Sequence, residues 1–165
     1  MTVMNDVLDG VVALVEGSAG SDDSNRTISR GRFVYVDNKE QVGQNKTVSA
    51  PYPFCIQMND VKDLGFDGDL GVFVSGTYQW ERKEVPLFVL YTLSENKSFD
   101  VYKISQTDYQ SIKQCLEDPL NLALTTGWVN CNVSSGEVLP VTINGETDAW
   151  ALRVLAELTF REALS

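Results

Sequence analysis

Four aspartates in one segment have the residue type and spacing that could do chemistry: Asp60, Asp63, Asp67 and Asp69. Paired carboxylates can hydrolyse a glycoside or share a proton as an aspartic dyad, and clustered carboxylates can hold Ca²⁺. The EF-hand spacing is absent, because Leu70-Gly71 follows Asp69 and no glutamate stands at the twelfth position. A solvated acidic loop explains these aspartates best, and we expect no catalytic, cofactor-binding or metal-binding residues.

The chain contains no histidine. This excludes Ser-His-Asp and Cys-His catalysis and HExxH zinc sites. Neither GxGxxG nor GxxxxGK[ST] occurs, so both nucleotide-binding fingerprints are missing. Three widely spaced cysteines, Cys55, Cys115 and Cys131, form no CxxC pair and indicate reduced, buried thiols in a cytosolic setting. These observations predict a protein that is not an enzyme and carries no cofactor.

The charge balance is strongly acidic: 13 Lys and Arg stand against 23 Asp and Glu, a net charge of −10 over 165 residues. Specific nucleic-acid binding requires a basic patch, so we expect none, and the same argument counts against an anionic membrane surface. No apolar run reaches the roughly 20 residues of a membrane span. The length fits one domain, residues 1–165, with flexible loops at about 17–30 and 40–50.

Aromatic and basic residues supply the candidates for contacts with partners. Trp80, Trp128 and Trp150 are either interface anchors or, more commonly, packed side chains. Five basic residues gather in and around the two N-terminal loops, where they form either scattered surface charge or a basic face for head-to-tail ring contacts: Arg26, Arg30, Arg32, Lys39 and Lys46.

Hydrophobic periodicity predicts the elements that position these residues. An amphipathic helix starts the chain and stops at Gly17, and a second helix runs from a Ser105 N-cap to Pro119. Strand patterns are predicted at 32–36, 54–58, 72–74, 77–80, 85–91, 99–104, 129–133, 138–143 and 150–160. The last of these segments alternates perfectly but is also rich in helix formers, and periodicity favours the strand. The result is an α+β fold, a mainly antiparallel sheet with two or three helices packed on it.

The order of these features resembles the tail terminator proteins of long-tailed bacteriophages. The resemblance rests on an N-terminal helix, a long loop and a Pro-led strand, Pro51-Tyr52-Pro53-Phe54-Cys55-Ile56-Gln57-Met58. A Trp-containing strand then leads into an apolar one, from Tyr78 through Val89. A helix near Tyr109 to Leu116 and a closing strand from Trp150 to Phe160 complete the pattern.

The resemblance implies a virion protein that assembles with itself into a ring, usually a hexamer, and performs no chemistry. Such a ring caps the tail tube, stops its polymerisation and docks the head-completion or connector protein. Two alternatives stay open: another phage neck, head-completion or minor capsid protein, and a small acidic inhibitor or binding module.

Overall fold

The computed structural model describes residues 3–18, 28–30, 52–57, 60–65, 78–92, 98–118, 120–121, 128–143 and 146–163. These residues form one mostly antiparallel sheet with two helices, which confirms the predicted α+β class. The predicted strands at 32–36 and 72–74, the loop at about 40–50, and Asp67 and Asp69 lie outside the described residues.

Helix α1 spans Val3–Gly17, as the apolar spacing predicts. Val7, Val11 and Val15 repeat every four residues, so they lie on one side of the helix, and all three are fully buried. Ser18 ends the helix by donating from its backbone N–H and its hydroxyl to the carbonyl of Val15, at 3.1 and 2.7 Å. The side-chain bond satisfies a carbonyl that has no partner within the helix.

The sheet contains six strands, listed here in chain order: β1 (Ile28–Arg30), β2 (Tyr52–Ile56), β3 (Lys62–Gly65), β4 (Tyr78–Thr92), β5 (Trp128–Ile143) and β6 (Glu146–Ala163). The spatial order is β1-β2-β4-β6-β5, and β3 pairs with β4 beyond the end of β2. Only β1 and β2 pair in parallel. The central strands β4 and β6 pair along their whole common length, from Tyr78 opposite Ala163 to Thr92 opposite Ala149.

Alternation along the strands separates the two faces of the sheet. One face carries the main core, to which α1, α2 (Ser98–Glu117) and the alternating residues of β4 and β6 contribute. The other face carries a smaller apolar cluster formed by Phe88, Leu90, Ala149 and Ala151. The strand prediction for 150–160 is therefore confirmed, since Leu152, Val154, Ala156, Leu158 and Phe160 all face the main core.

The predicted hairpin at 94–98 and strand at 99–104 are wrong from Ser98 onward, because α2 begins there. Ser105 is not an N-cap: it lies inside the helix, is fully buried and donates to the carbonyl of Tyr102 at 2.8 Å. The buried residues of α2 recur at helical spacing: Val101, Ser105, Asp108, Ile112 and Leu116. Two of these positions are polar, which hid the helical period from a count of apolar residues.

Two predicted loops contain short strands, β1 within 17–30 and β3 within 59–71. β4 is also one continuous strand where a break at the charged residues 81–84 was predicted. Charged side chains remain in this strand because they form ion pairs with neighbouring strands. Arg82 Nε lies 3.1 Å from Glu157 Oε1, and Lys83 Nζ lies 3.3 Å from Asp63 Oδ2.

Pro86 was predicted at an edge, a bulge or a strand start, but it lies in the middle of β4. Its carbonyl accepts a hydrogen bond from the backbone N–H of Gln57 at 3.0 Å. In an antiparallel strand the N–H and C=O of one residue point to the same side. The missing N–H of Pro86 therefore faces the connection between β2 and β3, where no ladder bond needs it.

Candidate functional site

The predicted acidic cluster does not come together as a catalytic or metal site in the part of the chain that is described. Asp63 forms its ion pair with Lys83, and Asp60 lies near a polar cavity of about 310 Å³. Glu84 also lines this cavity, and Lys62 Nζ lies 3.8 Å from its Oε1. Among the described residues, no group of three or more acidic or cysteine side chains is placed to hold a metal ion.

A larger cavity of about 530 Å³ lies between α2 and the β5–β6 hairpin, a size typical of ligand pockets. Its described walls are mostly aromatic and aliphatic: Val101, Tyr102, Gln106, Tyr109, Gly136, Glu137, Val138 and Trp150. Glu137 is the only described acidic residue among them, and its Oε2 lies 3.7 Å from Arg153 Nη1. The composition suits an uncharged ligand better than acid–base chemistry.

A bulge in β5 shapes one wall of this cavity. The register with β6 shifts between Ser134 and Glu137, and Ser135 has φ of +66°, a conformation costly for a residue with a side chain. A Cβ atom at Gly136 would lie 3.2 Å from the ring of Tyr109, so only glycine lets this ring pack against the bulge without displacement. Gln106 Nε2 donates to the carbonyl of Gly136 at 3.1 Å and ties the bulge to α2.

Trp150 forms another wall, and its indole N–H is an unsatisfied donor. Nε1 is shielded from water and donates to no group in the structure. A buried donor without an acceptor costs roughly 1–3 kcal/mol. Of the tryptophans considered as interface anchors, Trp150 is therefore the one with a visible chemical vacancy, while the side chains of Trp80 and Trp128 lie outside the described part.

Helix α2 is held beside the cavity by a buried hydrogen bond between Tyr91 and Asp108. The Tyr91 hydroxyl donates to Asp108 Oδ2 at 2.5 Å, and both side chains are fully buried. Tyr91 lies directly opposite Trp150 in the β4–β6 register. The bond therefore fixes the distance between α2 and the strand that carries Trp150.

Farther along α2, Lys113 and Glu117 bind the backbone of the edge strand β5. Lys113 Nζ donates to the carbonyl of Val133 at 3.0 Å and to Glu117 Oε1 at 2.8 Å. The same Glu117 oxygen accepts the Val133 N–H at 2.8 Å. Both backbone groups of Val133 thus point away from β6 and are satisfied by side chains of α2.

These contacts change the proton affinities of both side chains. Burial raises the pKa of Glu117, but the hydrogen bonds from Lys113 and the Val133 N–H outweigh it, so the pKa lies below its ordinary value of 4.5. The hydrogen bond to Glu117 raises the pKa of Lys113 above 10.5, against a smaller opposing effect of burial. Both groups are therefore charged across the neutral range.

All three cysteines are free, and two of them have raised pKa values. Burial raises the pKa of Cys131 to about 12 and also raises that of Cys115. Cys131 is fully enclosed, as predicted, whereas Cys55 and Cys115 are only half-buried. The protonated thiol of Cys131 is a packing group, not a nucleophile.

Sequence reasoning missed the larger cavity. Its residues come from α2, from the β5 bulge and from β6, which are far apart along the chain. The single local signal was Ser134-Ser135-Gly136, interpreted as a turn between two strands, although the strand continues through it as a bulge. No protein-family model matches this chain, and no curated protein is significantly similar to it. None of the described helices is long and apolar enough to cross a membrane.

Proposed function

We propose that this chain is a structural virion protein, a tail terminator of a long-tailed bacteriophage. In this role it forms a six-membered ring that caps the tail tube and stops its polymerisation. The ring binds the tail tube protein on one side and the head-completion or connector protein on the other. The proposal rests on the order of sequence features described above, and the antiparallel sheet with helices on one face is compatible with it.

The observation that carries a structural role over an enzymatic one is the placement of the charged side chains. The ion pairs described join neighbouring strands or lie along α2, where they serve the scaffold: Lys62–Glu84, Lys83–Asp63, Arg82–Glu157, Arg153–Glu137 and Lys113–Glu117. An acid–base mechanism requires groups with matched proton affinities that converge on one reacting atom. The described part of the larger cavity offers no such pair.

A contact surface for a neighbouring subunit is available just beyond the end of α2. Leu120 is 75% exposed, an unusual exposure for a large apolar side chain in this structure. Its N–H donates to Asp118 Oδ1 at 2.9 Å, and Asn121 Nδ2 donates to the carbonyl of Cys115 at 3.0 Å. These two bonds hold the backbone so that Leu120 projects outward, where it can be buried against a partner.

The net charge of −10 supports the same role. DNA carries a dense row of phosphates, and protein surfaces bind it by neutralising those phosphates with lysine and arginine. An acidic ring lets DNA slide through its channel without adhering. The basic residues near the N-terminal loops then provide the opposite charge for contacts between subunits.

The test is the solution mass from light scattering after size exclusion, over a range of protein and salt concentrations. We expect a discrete assembly of about six 18.3 kDa chains, either at once or as concentration rises. Leu120→Ser should weaken it by at least about tenfold, whereas Gln114→Ser, at an exposed site on α2, should leave it unchanged. A strict monomer under all conditions, with no binding to tail tubes, would refute the proposal and favour the acidic binding module.

A further inference from the structure

The larger cavity has the features of a ligand site that the proposed ring does not require. Its rim lies near Tyr102, eighteen residues before Leu120 and close to the other end of α2. A helix rises 1.5 Å per residue, so the two positions are separated by roughly 25 Å. Subunit contacts at Leu120 and a ligand in the cavity are therefore independent.

The chemistry of the walls defines the class of ligand. Tyr102, Tyr109 and Trp150 offer aromatic surfaces against which a flat ring can stack. The Trp150 N–H lacks an acceptor, and a carbonyl oxygen is the acceptor that a neutral ligand most readily supplies. Gln106 uses its Nε2 to hold Gly136, so the oxygen of the same amide is left to accept from a ligand N–H.

We propose that this cavity binds a neutral aromatic carboxamide. The ligand carbonyl accepts from Trp150 Nε1, its amide N–H donates to Gln106 Oε1, and its ring lies among the tyrosines. The net charge of −10 disfavours an anionic ligand of the same shape. Tyr102, which is 59% exposed, is free to change its rotamer and admit the ligand to the shielded indole nitrogen.

The bulge in β5 supports the same assignment. Strained backbone conformations and bulges concentrate where a structure positions a site, and both occur at this wall. The Gly136–Tyr109 contact and the Gln106–Gly136 bond hold two of the ligand-facing side chains in place. An unsatisfied donor among such fixed walls is a preformed half of a hydrogen bond.

The probe is benzamide, followed by the indole ¹H–¹⁵N signals in a two-dimensional NMR spectrum. The Trp150 signal is assigned as the one missing from Trp150→Phe. Benzamide should move this signal downfield with a saturable, millimolar dependence. Isopropylbenzene, which has the same shape but no acceptor, and benzoate should each bind at least about tenfold more weakly, the worth of one hydrogen bond.

Two variants locate the site independently of the assignment. Trp150→Phe should remove the preference for benzamide over isopropylbenzene. Gly136→Ala should weaken benzamide severalfold, because the added methyl group pushes the Tyr109 ring into the cavity. An unchanged Trp150 signal at saturating benzamide, or equal binding of isopropylbenzene, overturns the proposal. A response to N-acetylprolinamide but not to benzamide also overturns it and assigns the cavity to a peptide.

Discussion

The seam between α2 and β5 is closed by hydrogen bonds near Val133 and open near Gly136. At Val133, two charged side chains of α2 satisfy both backbone groups that point away from the sheet. At Gly136, the same helix leaves a cavity of about 530 Å³ with an unsatisfied indole N–H in its wall. The two halves share one helix and one strand, so the difference comes from side chains and from the bulge.

This comparison suggests that stability and binding are assigned to different halves of one seam. Polar groups that are fully paired hold α2 against the edge of the sheet. A polar group left unpaired, beside strained backbone, is stability given up at the position where a ligand can restore it. Substitutions in the closed half should therefore lower the free energy of unfolding, and those in the open half should mainly alter binding.

The largest expected effect is at the boundary between the halves, at the Tyr91–Asp108 bond. Tyr91→Phe leaves a fully buried carboxyl group without this donor. We expect the free energy of unfolding to fall by about 2 kcal/mol, measured by urea titration at a concentration where the chain is monomeric. Tyr102→Phe removes an exposed hydroxyl and should change it by less than about 0.5 kcal/mol. Equal losses would mean that the buried bond does not anchor α2.

A smaller loss is expected in the closed half. Lys113→Met or Glu117→Gln should each cost about 1 kcal/mol, because the hydrogen bonds involve charged groups but both side chains are about a third exposed. A double-mutant cycle measures the coupling of the pair. Additive losses would show that each side chain acts on Val133 alone.

The pH dependence of this pair follows from the direction of the two pKa shifts. The lowered pKa of Glu117 gives stability that is present above about pH 4.5 and is lost as the pH falls through the folded-state value. The raised pKa of Lys113 gives stability that is present below about pH 10.5 and is lost as the pH rises through its folded-state value. The difference between wild type and Lys113→Met/Glu117→Gln should therefore be constant between these limits and shrink outside them.

The smallest effect is expected in the open half. Trp150→Phe loses packing area but also removes the unsatisfied N–H, and the two terms oppose each other. We expect the free energy of unfolding to change by less than about 1 kcal/mol in thermal or urea denaturation. A loss above about 2 kcal/mol would show that the indole N–H has an acceptor in solution, and the contrast between the halves would disappear.

The fold was predictable where the apolar period is uninterrupted. Val7, Val11 and Val15 specify α1, and the alternation from Trp150 to Phe160 specifies β6. The first half of α2 was not predictable, because its inward positions include Ser105 and Asp108, whose burial depends on partners such as Tyr91.

The cavity could not be predicted for a related reason. Whether Ser134-Ser135-Gly136 turns the chain or forms a bulge depends on the neighbouring strand β6 and on the ring of Tyr109. Both act through tertiary contacts that local spacing does not record. The histidine count and the cysteine spacing, by contrast, were decisive from the sequence because they concern which side chains exist and not where they lie.

The contacts at Val133 also bear on how this chain avoids aggregation. β5 is an outer strand of the sheet, and an outer strand with free backbone groups is a template on which another chain can add a strand. Lys113, Glu117 and Gln106 occupy outward groups at Val133 and Gly136, and Pro140 lacks an N–H farther along the same strand. A protein synthesised in many copies is thereby protected along this edge from growing into a fibre.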